Sequence, residues 1–260
     1  MIHKTAIIHK GAKISKNVHI GAYSSIGEEV EIEENTKIDS NVVITGKTFI
    51  GKNNNIYPFA CIGHNPQDLK FRGEKTSLII GDNNIIREHV TINPGTIHGG
   101  GETKIGNNCL LMISSHVAHD CLVGNNVIIA NNVPIGGHVI IEDDVVIGGN
   151  SAVQQFTRIG KMAMIGGMTG VLNDVIPYGL SIGNRNFLQG LNLIGMRRKK
   201  IKNKDILILS DAYEIIFKNK NFNENLKHLD NSYKENFLVK EIIEFLEFDK
   251  KRPICTPFSK

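Results

Sequence analysis

The 260-residue chain contains no apolar run approaching the roughly 20 residues that a membrane-spanning helix needs. Its opening, M-I-H-K-T-A-I-I-H-K-G, lacks the apolar stretch of a secretory leader, so a cytoplasmic protein is expected. The four cysteines, Cys61, Cys109, Cys121 and Cys255, form no C-x-x-C pair, which removes the usual sequence sign of a zinc or dithiol redox centre. Three of them replace Ala, Ser, Thr or Val at equivalent points of a repeat, where a small packing residue is wanted. No strong charge imbalance exists either: a net charge of +4 gives no argument for nucleic acid. The contents of 41% hydrophobic and 22% charged residues are those of an ordinary globular protein. Charge is concentrated once, in R-R-K-K-I-K-N-K at 197–204, six cations in eight residues.

What the chain has instead is a period of six. Every sixth residue from Ile8 to Ile62 is isoleucine; Ile80, Ile86 and Ile92 continue the series; Ile, Leu or Val recurs every six residues from Ile105 to Val171. Small residues usually stand two positions before each aliphatic, and Gly, Asn, Asp or Lys follow it. Six matches neither the helical 3.6 nor the strand period of 2. It fits a solenoid of short strands and tight corners, with the aliphatic pointing inward and Gly, Asn or Asp accepting the corner's backbone angles. β-Branched residues suit the strands, and each coil covers its neighbours' hydrogen-bonding groups. The pattern resembles the hexapeptide-repeat, left-handed parallel β-helix proteins. That resemblance implies three hexads per coil, hence residues 18 apart stacked in adjacent coils, and a left-handed crossover against the usual rule.

The period breaks twice. From Ile62 to Ile80 the spacing holds, yet Asp68 and Glu74 fall in inward slots, so residues 64–75, H-N-P-Q-D-L-K-F-R-G-E-K, are expected to leave the solenoid as a loop. From Ile92 to Ile105 it slips by one residue through the glycine-rich N-P-G-T-I-H-G-G-G-E. Loops that interrupt a regular scaffold often carry function. Past P-Y-G at 177–179 the spacing becomes helical: Phe187, Leu191 and Ile194; Ile206, Leu209, Tyr213 and Ile216; Leu238, Ile242, Phe245 and Leu246. The expected architecture is mainly β, a β-helix over 1–182 followed by a small α-helical domain over 183–260.

The stretch S-S-H-V-A-H-D-C-L-V-G-N-N at 114–126 stands out against this frame. Val117 is an inward aliphatic, so His119 and Asp120 lie on the next corner, and the 18-residue stacking sets His138 beside Asp120 and Gly137 beside His119. These residues admit three roles. They can be solvated corner residues. Histidines at a subunit edge can bind zinc, as in γ-type carbonic anhydrases, although stacking brings a carboxylate beside His138 and not three imidazoles to one point. Or an imidazole oriented by a carboxylate can act as a general base, with the Gly137 N–H stabilising an oxyanion.

The set H-V-A-H-D-C, N-N-V-P-I-G-G-H-V, I-G-G-N-S-A-V-Q-Q-F, H-N-P-Q-D-L-K and G-L-N-L-I-G-M-R-R-K resembles the acyl-[acyl-carrier-protein]:UDP-N-acetylglucosamine O-acyltransferases, which begin lipid A synthesis. The similarity runs over essentially the whole chain. It implies His119 as the base for the sugar 3-OH, Asp120 as its orienting partner and the Gly137 N–H as oxyanion donor. By the same resemblance His116 and His138 line the sugar-nucleotide cleft, and Gln67, Asp68 and Lys70 reach substrate from an adjacent subunit. Gln155 and Asn192 match further substrate contacts; Arg198 matches a phosphate-contacting cation, with Lys199 where an arginine is frequent. Gly167 and Arg185 match positions along the acyl chain, and a small residue at 167 implies a medium-to-long 3-hydroxyacyl donor, about C12 to C16. The family works as a homotrimer with sites between subunits, so run 197–204 would steer the acidic acyl carrier protein. No metal or organic cofactor is implied, since the phosphopantetheine thioester belongs to the donor protein.

The match departs at Gln154, where many relatives have histidine, at Ile194, where many have glutamate, and at Arg185, often histidine. The Ile194 change is compatible with UDP-N-acetylglucosamine or with its 3-amino-3-deoxy analogue, which would give an amide. The related N-acyltransferases of the same pathway carry an N-terminal uridine-binding domain, for which hexads beginning at residue 6 leave no room. A purely structural solenoid would have no use for the His119–Asp120 corner.

Overall fold

A computed structural model describes residues 1–219, 221–248 and 252–258. Its hexads fold as two-residue strands such as His19–Ile20, in which one side chain faces out and the aliphatic faces in. Among the described residues the strands build three sheets of nine, eight and ten strands, the faces of a three-sided parallel β-helix. Neighbouring coils pair residues 18 apart, as in His19 with Lys37 and Leu122 with Ile140. The inward isoleucines from Ile20 to Ile62 are 0–2% exposed, so nearly every hexad places its full aliphatic side chain in one continuous core. Cys109, Cys121 and Cys255 are buried too, and burial pushes their thiols up to about 11, 12 and 12.

Each corner needs a residue in the left-handed region. One edge uses asparagines: Asn17, Asn35 and Asn53 have φ of 58, 61 and 57°. The edge that follows the nine-stranded sheet uses Asp120, His138 and Phe156, with φ of 59, 60 and 65°. A bulky ring there is an uncommon choice that the corner geometry does not favour.

Both interruptions are insertions between coils. Cys61 pairs with Thr91, so residues 64–75 loop out as expected and the coils remain in register. The second break differs from its expected one-residue slip. Thr91 and His116 pair although they are 25 residues apart, so seven residues beyond a regular coil leave the solenoid. The slot at His98 is not a hexad position: Ile97–Gly99 forms a short 3-10 turn, and Gly100 and Gly101 take φ of 106 and 82°.

Beyond the last coil, Gly179–Ile182 pairs antiparallel with Phe187–Leu191, extending the ten-stranded sheet past residue 182. The helical spacing of Phe187, Leu191 and Ile194 is thus coincidental: the first two belong to a strand, held by its partner and bent by Gly190 at φ 146°, and Ile194 is 64% exposed. Helices follow as α1 (Leu193–Arg198), α2 (Asn203–Ile216), α3 (Phe222–Lys227), α4 (Asn231–Lys234) and α5 (Phe237–Glu247). The other two periodic sets are buried, Ile206, Leu209, Tyr213 and Ile216 on α2, and Leu238, Ile242, Phe245 and Leu246 on α5. The helices are fastened to the solenoid by Arg158, paired with Asp174 at 2.7 Å and 4.2 Å from the Phe245 ring centre, and by Glu241, which accepts from Lys161 and from the Tyr178 hydroxyl. The chain end returns to pair Ile254 with Asp174.

Candidate active site

Val117 is fully buried, which forces the chain to turn outward at Ala118 and presents His119 and Asp120 on the edge. Asp120 adopts the left-handed corner conformation, and its side chain, 0% exposed, folds under the seven-residue excursion. There its Oδ1 accepts from the Thr96 N–H at 2.7 Å and its Oδ2 from the Thr96 hydroxyl at 2.6 Å. The same Oδ2 lies 2.7 Å from Nδ1 of His119. The Asp120 N–H donates to Thr103 Oγ1, so backbone and side chain are both fixed.

A carboxylate only accepts, so the proton between the pair belongs on Nδ1 and the lone pair of the neutral imidazole is on Nε2. The ring lies flat against the next coil. A Cβ added to Gly137 would stand 2.7 Å from its Cε1 and 2.8 Å from Nε2, so only glycine admits the ring here. Among the described residues no protein acceptor takes the Gly137 N–H. His138 crosses His119 edge-on, centroids 5.1 Å apart, and stacks on Phe156 at 4.4 Å and 8°. His116 faces outward on the adjoining sheet, its Nδ1 2.7 Å from Thr91 Oγ1, and burial lowers its pKa.

The 64–75 loop folds onto this edge. Asn93 Nδ2 donates to His64 O, tying the loop's base to the next coil. Asp68 Oδ1 accepts from the Lys70 N–H at 2.9 Å, which keeps its carboxyl below the usual range. A cleft of about 400 Å³ opens between Asp68 and Lys70 of the loop, Thr96 and His98 of the excursion, and His138, Phe156 and Arg158 of the coils. Within one chain the loop thus borders the same cleft as the corner, and Asn93 ties its base to the coil. Gln67 is exposed on the same loop, and Gln155 continues the column of His119 and Gly137, its carbonyl accepting from Arg252.

The remaining sequence-derived residues lie elsewhere in the chain. Lys199 pairs with Asp144 at 2.5 Å, which puts the end of α1, with Arg198, at the asparagine edge. Asn192 is half-buried at the start of α1. It caps α1 by accepting from the Gly195 N–H at 3.0 Å and donates to Met162 O at 2.9 Å. Asn192→Ala is expected to lower stability by about 1–3 kcal/mol, read as a fall in Tm. Gly167 belongs to the third edge, beside the Gly149 carbonyl, and Arg185 to the exposed turn whose Asn186 N–H donates to Gly170 O. Gln154 is exposed.

His119, Asp120 and His138 also offer ligand atoms within 4.8 Å of one another, the spacing of a metal site. The carboxylate between them, however, is already engaged by three hydrogen-bond donors, the arrangement of an oriented base.

Family comparisons agree with the coils and the helical end. A family model described as "Udp N-acetylglucosamine O-acyltransferase; Domain 2" matches residues 174–255, and one for bacterial transferase hexapeptide repeats matches 11–46 and 102–137. An acyl-[acyl-carrier-protein]–UDP-N-acetylglucosamine O-acyltransferase of Nautilia profundicola is 49% identical over 207 residues, 78% of each chain. The chain belongs to the UDP-N-acetylglucosamine O-acyltransferase family. A crystal structure of a UDP-N-acetylglucosamine acyltransferase superposes with a TM-score of 0.94 at 44% identity, covering 100% of both chains. That from Moraxella catarrhalis gives 0.93 at 42% identity, covering 97% of this chain and 98% of the other. The fold is the left-handed parallel β-helix of these acyltransferases, with helices at its C-terminal end.

Sequence reasoning singled out the dyad and Gly137 but not Thr96, His98 or Phe156. Phe156 was accessible to it as the residue 18 positions after His138. Thr96 was not, because an insertion has no period.

Proposed function

We propose that this chain transfers a 3-hydroxyacyl group from acyl carrier protein to the 3-OH of UDP-N-acetylglucosamine, the first step of lipid A synthesis, with His119 as general base. The observation that carries this reading is the His119–Asp120 pair, which leaves Nε2 basic on a ring packed against Gly137. Nε2 takes the proton of the sugar hydroxyl as its oxygen attacks the thioester carbonyl. The carbonyl oxygen gains negative charge and receives the Gly137 N–H. Collapse breaks the C–S bond, and the imidazolium returns its proton to the departing thiolate, so the base is regenerated. Asp120 stabilises the imidazolium and holds its tautomer.

His116, His138, Gln67, Asp68, Lys70 and Gln155 are read as the walls that hold sugar and nucleotide. Asn192, Arg198 and Lys199 lie on another edge of the same chain, so they serve this corner in a homotrimer whose neighbour presents them. Asn192 then contacts substrate with whatever hydrogen-bonding capacity its cap leaves. The exposed cations of 197–204 dock the acidic carrier protein by electrostatic steering. Gly167 and Arg185 border the acyl chain, for which about C12 to C16 is proposed. The chemistry asks for no metal or organic cofactor, and the reading places the enzyme in the cytoplasm with its soluble substrates; no described helix is long and apolar enough to cross a membrane.

The test is turnover of 3-hydroxyacyl carrier protein with UDP-N-acetylglucosamine and with its 3-amino-3-deoxy analogue, side by side. The ester is expected as the preferred product. Turnover of the amino sugar alone would transfer the reading to amide formation.

A further inference from the structure

The excursion at 93–101 contributes one residue whose polar groups are spent on the dyad. Thr96 is 3% exposed and occupies the N-cap of the Ile97–Gly99 turn, yet its hydroxyl makes no capping hydrogen bond. A threonine at an N-cap ordinarily accepts from an N–H of the following turn. Here the hydroxyl is turned away and donates to Asp120 Oδ2 at 2.6 Å, while the Thr96 N–H donates to Oδ1 at 2.7 Å. Thr96 thereby holds the carboxylate at both oxygens, one of which it shares with His119. Gly99 closes the grip: a Cβ there would lie 2.0 Å from Asp120 Cγ, so the turn rests directly on the carboxylate. Holding the turn itself requires neither contact, since the Thr96 carbonyl already accepts from the N–H groups of Gly99 and Gly101.

We infer that Thr96 is a positioning residue for acyl transfer: its hydroxyl and N–H fix the plane of the Asp120 carboxylate, which in turn aims the His119 base at the sugar hydroxyl. The seven-residue excursion is on this view the device that turns an exposed corner aspartate into a rigid third member of a Thr96–Asp120–His119 relay. Oriented bases lose much of their advantage when the group behind them can rotate. The inference rests on His119 being the base.

The experiment compares wild type with Thr96→Val, which removes the hydroxyl at nearly constant shape and keeps the N–H, and with Thr96→Ser, which restores it. Thr96→Val is expected to lower kcat about 10- to 100-fold, part of the 10²–10⁴ that general-base catalysis contributes. KM for UDP-N-acetylglucosamine should stay within about twofold, and Thr96→Ser should recover most of kcat. A residue that merely braces the cleft would raise KM or lower Tm and leave kcat. Gly99→Ala supplies a second route, since it displaces the carboxylate while leaving the Thr96 hydroxyl present, and a comparable fall in kcat is expected; it carries the test should Thr96→Val not fold. Wild-type kcat in Thr96→Val or in Gly99→Ala, or a loss that Thr96→Ser does not recover, overturns the inference. His119→Ala run in parallel separates the two levels: if it retains turnover the base assignment itself falls, whereas its inactivity beside an unimpaired Thr96→Val removes only the relay.

Discussion

His119→Ala is expected to cost about 10²–10⁴ in kcat while the fold and UDP-N-acetylglucosamine binding survive. The side chain lies on an edge and is 13% exposed, so removing it opens no cavity in the isoleucine core. What disappears is the Nε2 lone pair beside Gly137. The loss should therefore appear in kcat and in kcat/KM together, as it does when an interaction made only in the transition state is removed. Steady-state turnover, with Tm as the control for folding, checks it.

Asp120→Asn is expected to have an effect of the same order through a different route. The Asp120 oxygens receive three donors, two from Thr96 and one from His119. An amide offers one acceptor oxygen and an NH₂, so one of these donors must face another donor in a site with 0% exposure. If the oxygen stays with Thr96, the NH₂ faces Nδ1. The imidazole then moves its proton to Nε2, and the base loses the lone pair that attacks. A fall of about 10²–10⁴ in kcat follows, together with a loss of roughly 2–4 kcal/mol in stability from the mismatched donors. Here, unlike His119→Ala, both kcat and the unfolding midpoint in urea should move. A variant that unfolds at the wild-type urea concentration would show that Asp120 is less tightly held than its hydrogen bonds indicate.

The sequence carried the solenoid because one physical rule, an aliphatic facing inward every six residues, repeats from Ile8 to Val171. The same rule carried part of the corner. Stacking residues 18 apart sets Gly137 against His119 and His138 beside Asp120, and both adjacencies are present. Where the period stops, so does its reach. The break at 93–101 counts as a one-residue slip along the chain but is a seven-residue excursion in space, and Thr96 sits inside it. Phe187 and Leu191 have helical spacing but pair as a strand, because pairing with Gly179–Ile182 outweighs a weak local pattern. Asn192, Arg198, Lys199, Gly167 and Arg185 came from resemblance alone, and a single chain leaves them on edges other than that of His119.

The central claim is that the proton of the sugar hydroxyl passes to Nε2 of His119 as the ester forms. Its most direct test is the single-turnover rate of ester formation from 3-hydroxyacyl carrier protein with enzyme and UDP-N-acetylglucosamine in excess, quenched and resolved by mass spectrometry. Such a measurement isolates chemistry from substrate binding and product release. A single-turnover rate for His119→Ala about 10²–10⁴ below wild type, with the acceptor still bound, is the expected result. Ester formation at the wild-type rate by His119→Ala would contradict it.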